Sequence, residues 1–581
     1  MSAEQGTAEL YSNEIDADWG QNPAPNRISS CEVHVRSLLM VLLLSCACGT
    51  NAAAQAQRPT EPPLDLTFTT VGRQHHAIQT KSHEAQDFFD QGITLLYGFN
   101  HEGAARAFQR AAELDPASPM PLWGIALAAG PNYNLDVDAE REKFAYETAQ
   151  RAKELADHAP QIEKDYAAAL AKRYSGDALP DYKKLSRDFA AAMKALSAKY
   201  PDDLDAATLY AESLMDLNPW KLWTLDGQPA EGTEDIVRVL ESVLQRNPNH
   251  AGANHYYIHA LEASPHAERA RPSAARLGGM VPWAGHLVHM PAHIYIRTGD
   301  YAEAARNNAE AARVDQGYLQ QSHLMGSTYD LIYYSHNLHF LSAAQAMAGN
   351  FAAAKQAADE LEAHIRPLVA RMPESESYLP TPMLVLVRFH RWDEILKISP
   401  PDPNLVMTNA LWHFGRGSAA ATMGKIEMAE AERKELETVR EKTSPEQEFG
   451  MFYTKAQGFL NLAASIMDAR IATARGENGR AIECWMRAVQ LEDEFKYDEP
   501  PEWFYPVRES LGAALLAAGK ANGAEQVFRD DLLRNPRNPR SLFGLMNSLK
   551  AQQRDADAAW VERQFNEAWK DADTKLKLSD L

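Results

Sequence analysis

His286, His289 and His293 fall within Trp283–Arg297, W-A-G-H-L-V-H-M-P-A-H-I-Y-I-R. On an α-helix this i, i+3, i+7 spacing projects all three imidazoles from one face, one turn above another. His255 and His259 form an i, i+4 pair upstream, and His336 and His339 an i, i+3 pair downstream. Only 19 histidines occur in 581 residues, so seven in three short stretches call for a chemistry. Clustered neutral imidazoles bind transition metals, with Zn, Cu, Fe and Ni all compatible. Two plainer readings stand beside that one. Neutral or protonated histidines also bind peptides and small molecules, and lone core histidines simply hydrogen-bond and stack.

Other reactive groups narrow the choice. No glutamate follows His255 or His259 in the zinc-protease arrangement. If a metal here is catalytic, Glu212, Glu262 and Tyr256 or Tyr257 are the nearest acid–base candidates. Met290 lies inside the histidine stretch, where a methionine reads as packing. Of four cysteines, Cys31, Cys46 and Cys48 precede the body and Cys484 stands alone within it. That excludes an internal disulfide and a thiolate-rich metal site there. No phosphate-cradling glycine loop, dinucleotide fingerprint, Gly-x-Ser-x-Gly elbow or Ca²⁺ loop occurs. The net charge of −21, without any basic run, argues against nucleic acid as a partner.

The elements that position these residues follow from a repeat. Gln86–Pro116 places Phe88, Gly92, Leu95, Ala104, Phe108, Ala111 and Pro116 in a large–small–large, then small–aromatic–small–proline order. The same frame returns at Tyr505–Asn538 with Gly512, Leu515, Ala524, Phe528 and Pro536, and Leu542, Met546 and Leu549 begin a further pair. Turn signatures recur at Gly299-Asp-Tyr301, Gly349-Asn-Phe351 and Gly424-Lys-Ile426, each with a small residue three positions on. Lys199-Tyr-Pro201 and Asn247-Pro248 close other units. Small residues let two helices approach, the aromatic fills the gap and proline ends the second helix.

This 34-residue pattern resembles the tetratricopeptide repeat, a helix–turn–helix unit. The resemblance implies an all-α superhelical solenoid of about ten helix pairs over residues 85–572. A lead-in precedes it at 58–84 and a tail follows at 573–581. Aromatic-rich insertions are expected at Pro131–Asn134, Asn218–Gly232, Gln316–Thr328 and Tyr497–Phe504. The insertions around Trp220 and Trp503 read as loops pinned by aromatic burial, with a lid or substrate platform as the alternative.

In the tetratricopeptide family, positions 2, 5, 9, 12 and 13 of the first helix line the concave groove. Set in that frame, His286, His289 and His293 take positions 2, 5 and 9, His255 and His259 take 5 and 9, Glu262 takes 12, and His336 and His339 take 2 and 5. Glu212 and Asp216 fall at 9 and 13 of an earlier unit. Tyr256 neighbours this set. The expected division puts His255/His259 with His289/His293 at one ion, and His286 with His336/His339 at another.

Residues 1–57 read as surplus sequence followed by an export signal. Arg36, the apolar run Leu38–Leu44 and the small-residue tail to Gln57 have the order of a secretory signal. Ala54-Gln-Ala56 suits signal-peptidase cleavage, whereas Leu43-Leu-Ser-Cys46 suits acylation of Cys46, the one route to a membrane. The acidic start before them places the translation start near Val33, Val35 or Met40. The chain is therefore similar to an exported bacterial tetratricopeptide protein with a His-rich transition-metal centre (Zn, Cu or Fe). A scaffold that binds a peptide or protein partner in the groove remains the alternative.

Overall fold

A computed structural model describes residues 74–177, 179–450, 454–501 and 503–581. The export signal, Cys46 and the first part of the lead-in lie outside the described residues. Within them the chain is a succession of antiparallel helix pairs from His83 to Ala568, an all-α helical-repeat solenoid. The one strand pair among the described residues joins Glu448–Phe449 to Thr454–Lys455. None of the described helices is long and apolar enough to cross a membrane.

The repeat residues do what their sizes dictate. Phe108 is fully buried, and its ring occupies the space where a side chain on Gly92 or Gly124 would stand. Phe528 does the same between Gly512 and Gly544. Each ring thus wedges between two neighbouring first helices, and any residue larger than glycine there would overpack the joint. Gly299 and Gly349 end helices at φ of 76° and 84°, where glycine alone is unstrained.

The array coils back on itself. Asn134 Nδ2 donates to Tyr333 Oη at 3.2 Å, and Arg106 reaches the Ser322 carbonyl at 3.5 Å. At the other end Tyr301 Oη donates to the Pro536 carbonyl at 3.1 Å, and the Phe351 amide donates to Asp573 at 2.7 Å. Buried Glu509 pairs with both Arg388 and Arg540, riveting the last repeats to the middle ones. The C-terminal tail is packed as well, with the Leu581 carbonyl accepting from Ser510 Oγ at 3.1 Å.

Three local features depart from the repeat. Trp283–Arg297 forms two helices, Gly285–His289 and Pro291–Arg297. Pro291 has no N–H to donate, so one helical bond is missing, yet Met290 stays helical and the segment keeps its course. The expected insertion at Gln316–Thr328 begins later. Helix Tyr301–Ser322 runs on through it, anchored by buried Leu319, and stops where His323 takes φ 55°. A π-helical turn, Asp330–Tyr334, then feeds Ser335–Met347 and resets the angle at which His336 is presented. Helix Ala251–Glu262 is buried on every side, all 12 residues of it. It forms the middle of the N-terminal core.

Candidate metal centre

Six of the seven histidines converge in one buried volume. His255 and His259 come from Ala251–Glu262, His286 and His289 from Gly285–His289, His293 from the helix after Pro291, and His336 from Ser335–Met347. They form two groups of three, His255/His259/His286 and His289/His293/His336. In each group one nitrogen per ring lies within 4.8 Å of the others. The groups adjoin, with ring centroids 5.6 Å apart between His286 and His289 and 5.8 Å between His259 and His293.

The division differs from the one expected from the sequence. His286 joins His255 and His259, while His289 and His293 join His336. His339 belongs to neither group; its ring packs edge-on against Tyr378 at 5.3 Å. The repeat frame places a side chain around its own helix axis but leaves open which neighbour's ring it meets.

Outer partners set the direction of the rings. His255 Nδ1 lies 2.6 Å from the Tyr97 carbonyl, which only accepts, so Nδ1 carries the proton and Nε2 the lone pair. His289 Nδ1 likewise donates to Asn308 Oδ1 at 2.7 Å, and Asn308 is oriented by its own donation to the Ala304 carbonyl. His259 Nδ1 donates to Glu262 Oε1 at 2.8 Å. His293 Nδ1 sits 2.6 Å from Glu262 Oε2, close but off the line of a good hydrogen bond. Glu262 therefore holds one imidazole from each group.

With those Nδ1 atoms turned outward, the Nε2 atoms face inward. His255 and His286 Nε2 are 3.1 Å apart, and His289 and His293 Nε2 are 2.7 Å apart. Two lone pairs at such a distance repel unless a proton or a cation lies between them. Two imidazoles on one tetrahedral zinc stand about 3.3 Å apart, from metal–nitrogen bonds of about 2.0–2.1 Å. His259 Nε2 is buried in the first group without a hydrogen-bond partner. An inward Nε2 backed by an Nδ1–H bonded to carbonyl or carboxylate is the arrangement that metal-ligating histidines adopt.

The electrostatics suit that role. Burial, reinforced by neighbouring imidazoles, pushes His255, His286, His289 and His336 well below the ordinary histidine range. They are neutral imidazoles and could ligate a metal without first losing a proton. Burial would raise the Glu262 carboxyl, but His259 and His293 outweigh it and hold it at about 2. His293 is raised, because the Glu262 charge outweighs the burial that alone would lower it. Glu262 is thus an ionised anchor for two rings, which removes it from the free acid–base groups.

The remaining acid–base candidates lie elsewhere. Glu212 and Asp216 form a buried pair whose cation is Arg173, with Arg173 Nη2 on Asp216 at 2.5 Å. Burial and then the charge of Glu212 drive the Asp216 carboxyl well up. Tyr256 is sealed among Tyr97, Phe99 and His255, and Tyr257 turns outward to donate to Glu241. None of the four contacts the facing Nε2 atoms.

Several contributors were not assigned to the site from the sequence. Phe99 sits at φ 54°, a strained setting for a non-glycine residue, with its ring 4.6 Å, 5.6 Å and 5.5 Å from His255, His259 and His286. Tyr133 covers His259 at 5.2 Å and Tyr333 covers His286 at 4.7 Å. Trp220 stacks on Tyr133, so the insertion it belongs to is pinned by aromatic burial. The Tyr497–Phe504 insertion buries Trp503 and Phe504 similarly, and it also brings buried Glu499 toward His293. Asn308 alone had a legible trait, as a polar residue in mid-helix whose side chain must find a partner if buried.

A third cluster, His76, Asp203 and Asp205, is saturated with internal bonds. Asp205 accepts from Tyr97 Oη at 2.6 Å and lies 2.8 Å from His76 Nδ1 and 3.1 Å from His250 Nε2. It fixes Tyr97, whose carbonyl orients His255.

No protein-family model matches the chain, and no curated protein sequence is similar to it. Among solved structures it is similar to the human IFIT1 dimer with m7Gppp-AAAA, at 13% identity and a TM-score of 0.31, over 85% of this chain and 92% of that one. Yeast Tom70 is similar at 12% identity and a TM-score of 0.27, over 84% and 92% of the two chains. Ypp1 is similar at 9% identity and a TM-score of 0.41, over 83% and 81%.

Proposed function

We propose that this helical-repeat protein is a metalloprotein whose two adjoining three-imidazole groups each hold a transition-metal ion, used for metal storage or metal-dependent chemistry. The observation that carries the reading is the pair of inward-facing Nε2–Nε2 contacts, 3.1 Å and 2.7 Å, in each of which one ring, His255 or His289, has its outer nitrogen tied to a carbonyl or amide oxygen. All-imidazole donor sets without thiolate favour Zn, Cu or Fe. We further propose that the protein is exported and works in the bacterial envelope, the setting that the Arg36–Gln57 signal calls for. An extended peptide bound as in an open tetratricopeptide groove finds no room at these rings, five of which are at most 3% exposed.

Elemental mass spectrometry of the untagged mature protein tests this, beside a His255/His289/His293 triple-alanine variant. Near two ions per chain in the first and none in the second is the expected result. Absence of metal from the wild-type chain after reconstitution with Zn, Cu and Fe would refute it.

A further inference from the structure

The two groups differ in what surrounds them. His255, His259 and His286 are at most 3% exposed and pack against the rings of Phe99, Tyr133 and Tyr333. In the second group His289 and His293 are buried, but His336 is half-buried and lines a cavity of about 30 Å³. One water needs about 10–15 Å³ of such space, so the cavity admits about two. Ser377 stands half-buried at its rim, Leu411 and Phe459 form an apolar wall, and Asp498 and Glu499 an acidic one. Glu499 is 2% exposed; its Oε1 accepts from Tyr497 Oη at 2.6 Å, while Oε2 has no partner. A buried carboxylate oxygen left unpaired is costly unless something in the cavity donates to it.

Resting on the metal reading above, we infer that the first group is a closed site and that the second keeps one coordination position open to this cavity. There a water on the ion donates a hydrogen bond to Glu499 Oε2. Three protein ligands plus an exchangeable water is the arrangement of reactive zinc-type sites, whereas filled and enclosed sites are structural. The acidic wall selects the exchanging ligand. It is a small neutral or cationic molecule with one nitrogen or oxygen donor and an apolar body for the Leu411–Phe459 side.

The test uses the full mature chain loaded with Co(II), whose visible bands report coordination. Imidazole is the neutral probe and acetate the anionic one. Two Co(II) per chain are expected, with imidazole perturbing the bands of one ion and acetate perturbing neither. Ser377→Trp fills the rim without touching a ligand; it should keep both ions and weaken imidazole at least tenfold. Glu499→Ala removes the acceptor that holds the competing water and should tighten imidazole at least threefold. If Ser377→Trp does not fold, Leu411→Ala replaces it, and loss of the apolar wall should weaken imidazole at least threefold. Equal response of both ions, or imidazole affinity indifferent to these changes, would overturn the inference while leaving the metal reading intact. Failure of the wild-type chain to take up Co(II) would sink both.

Discussion

Replacing Glu262 by Gln probes the centre at the point where its halves meet. The carboxylate offers Oε1 to His259 at 2.8 Å and Oε2 to His293 at 2.6 Å, one ring in each group. An amide of the same shape has one acceptor and no charge, so both rings lose electrostatic support and one faces a donor. Loss of such an outer partner costs about 10–100-fold in metal affinity, or about 1.4–2.7 kcal/mol per site. Because one residue serves both groups, both affinities should fall together. The metal-free protein should weaken too. The carboxyl is held at about 2 against an ordinary 4.5, which corresponds to about 3 kcal/mol. A depressed carboxyl stabilises above its unfolded value and loses that contribution as pH falls from about 4.5 toward 2, so the variant's stability should vary less over that range. Chelator competition with Zn(II) reads the affinities, and urea unfolding of the metal-free chain reads the stability. A loss confined to one ion, or a metal-free change below about 1 kcal/mol at pH 7, would refute the bridging role.

Further outcomes follow from individual contacts. His289→Ala should remove one ion and lower the melting temperature of the metal-loaded protein, whereas His339→Ala, packed on Tyr378 outside both groups, should leave the metal content unchanged. Burial, only partly opposed by bonds from Tyr329 and Asn337, pushes Asp315 up to about 7 from 3.8. A raised carboxyl loses stability as pH climbs from 3.8 through 7, so Asp315→Asn should gain up to about 4 kcal/mol at pH 8 and almost nothing at pH 4, read from urea midpoints. Glu509→Ala strands the buried Arg388 and Arg540 at the joint between middle and last repeats, and should cost about 3–5 kcal/mol in unfolding experiments.

Much of the architecture was legible because helix pairing is local. The small and aromatic positions around Phe108 and Phe528 state their own packing, and positive-φ glycines mark the turns. The histidine faces were legible for the same reason, since 3.6 residues per turn dictates that His286, His289 and His293 share one side. Glu262 was visible as a neighbour but read as a free carboxylate, because nothing in the chain order shows that two rings converge on it. Phe99 was not visible at all, and Glu499 only as part of an insertion read as a pinned loop or lid. Their roles depend on a strained turn after helix His83–Tyr97 and on an insertion well over a hundred residues beyond His336.

Sequence by itself determined the all-α repeat, the small–aromatic wedges between first helices, and the stack of imidazoles on consecutive helices. These follow from periodicity, side-chain volume and the missing N–H of proline, all of which act within one or two repeats. The tertiary structure decided which rings face each other, which carboxylate bridges them, which group is sealed and which opens on a cavity. Those relations depend on the distance between helix axes and on how far the solenoid coils before its last repeats reach the middle ones. Both are sums over many joints, and no short stretch of residues carries them.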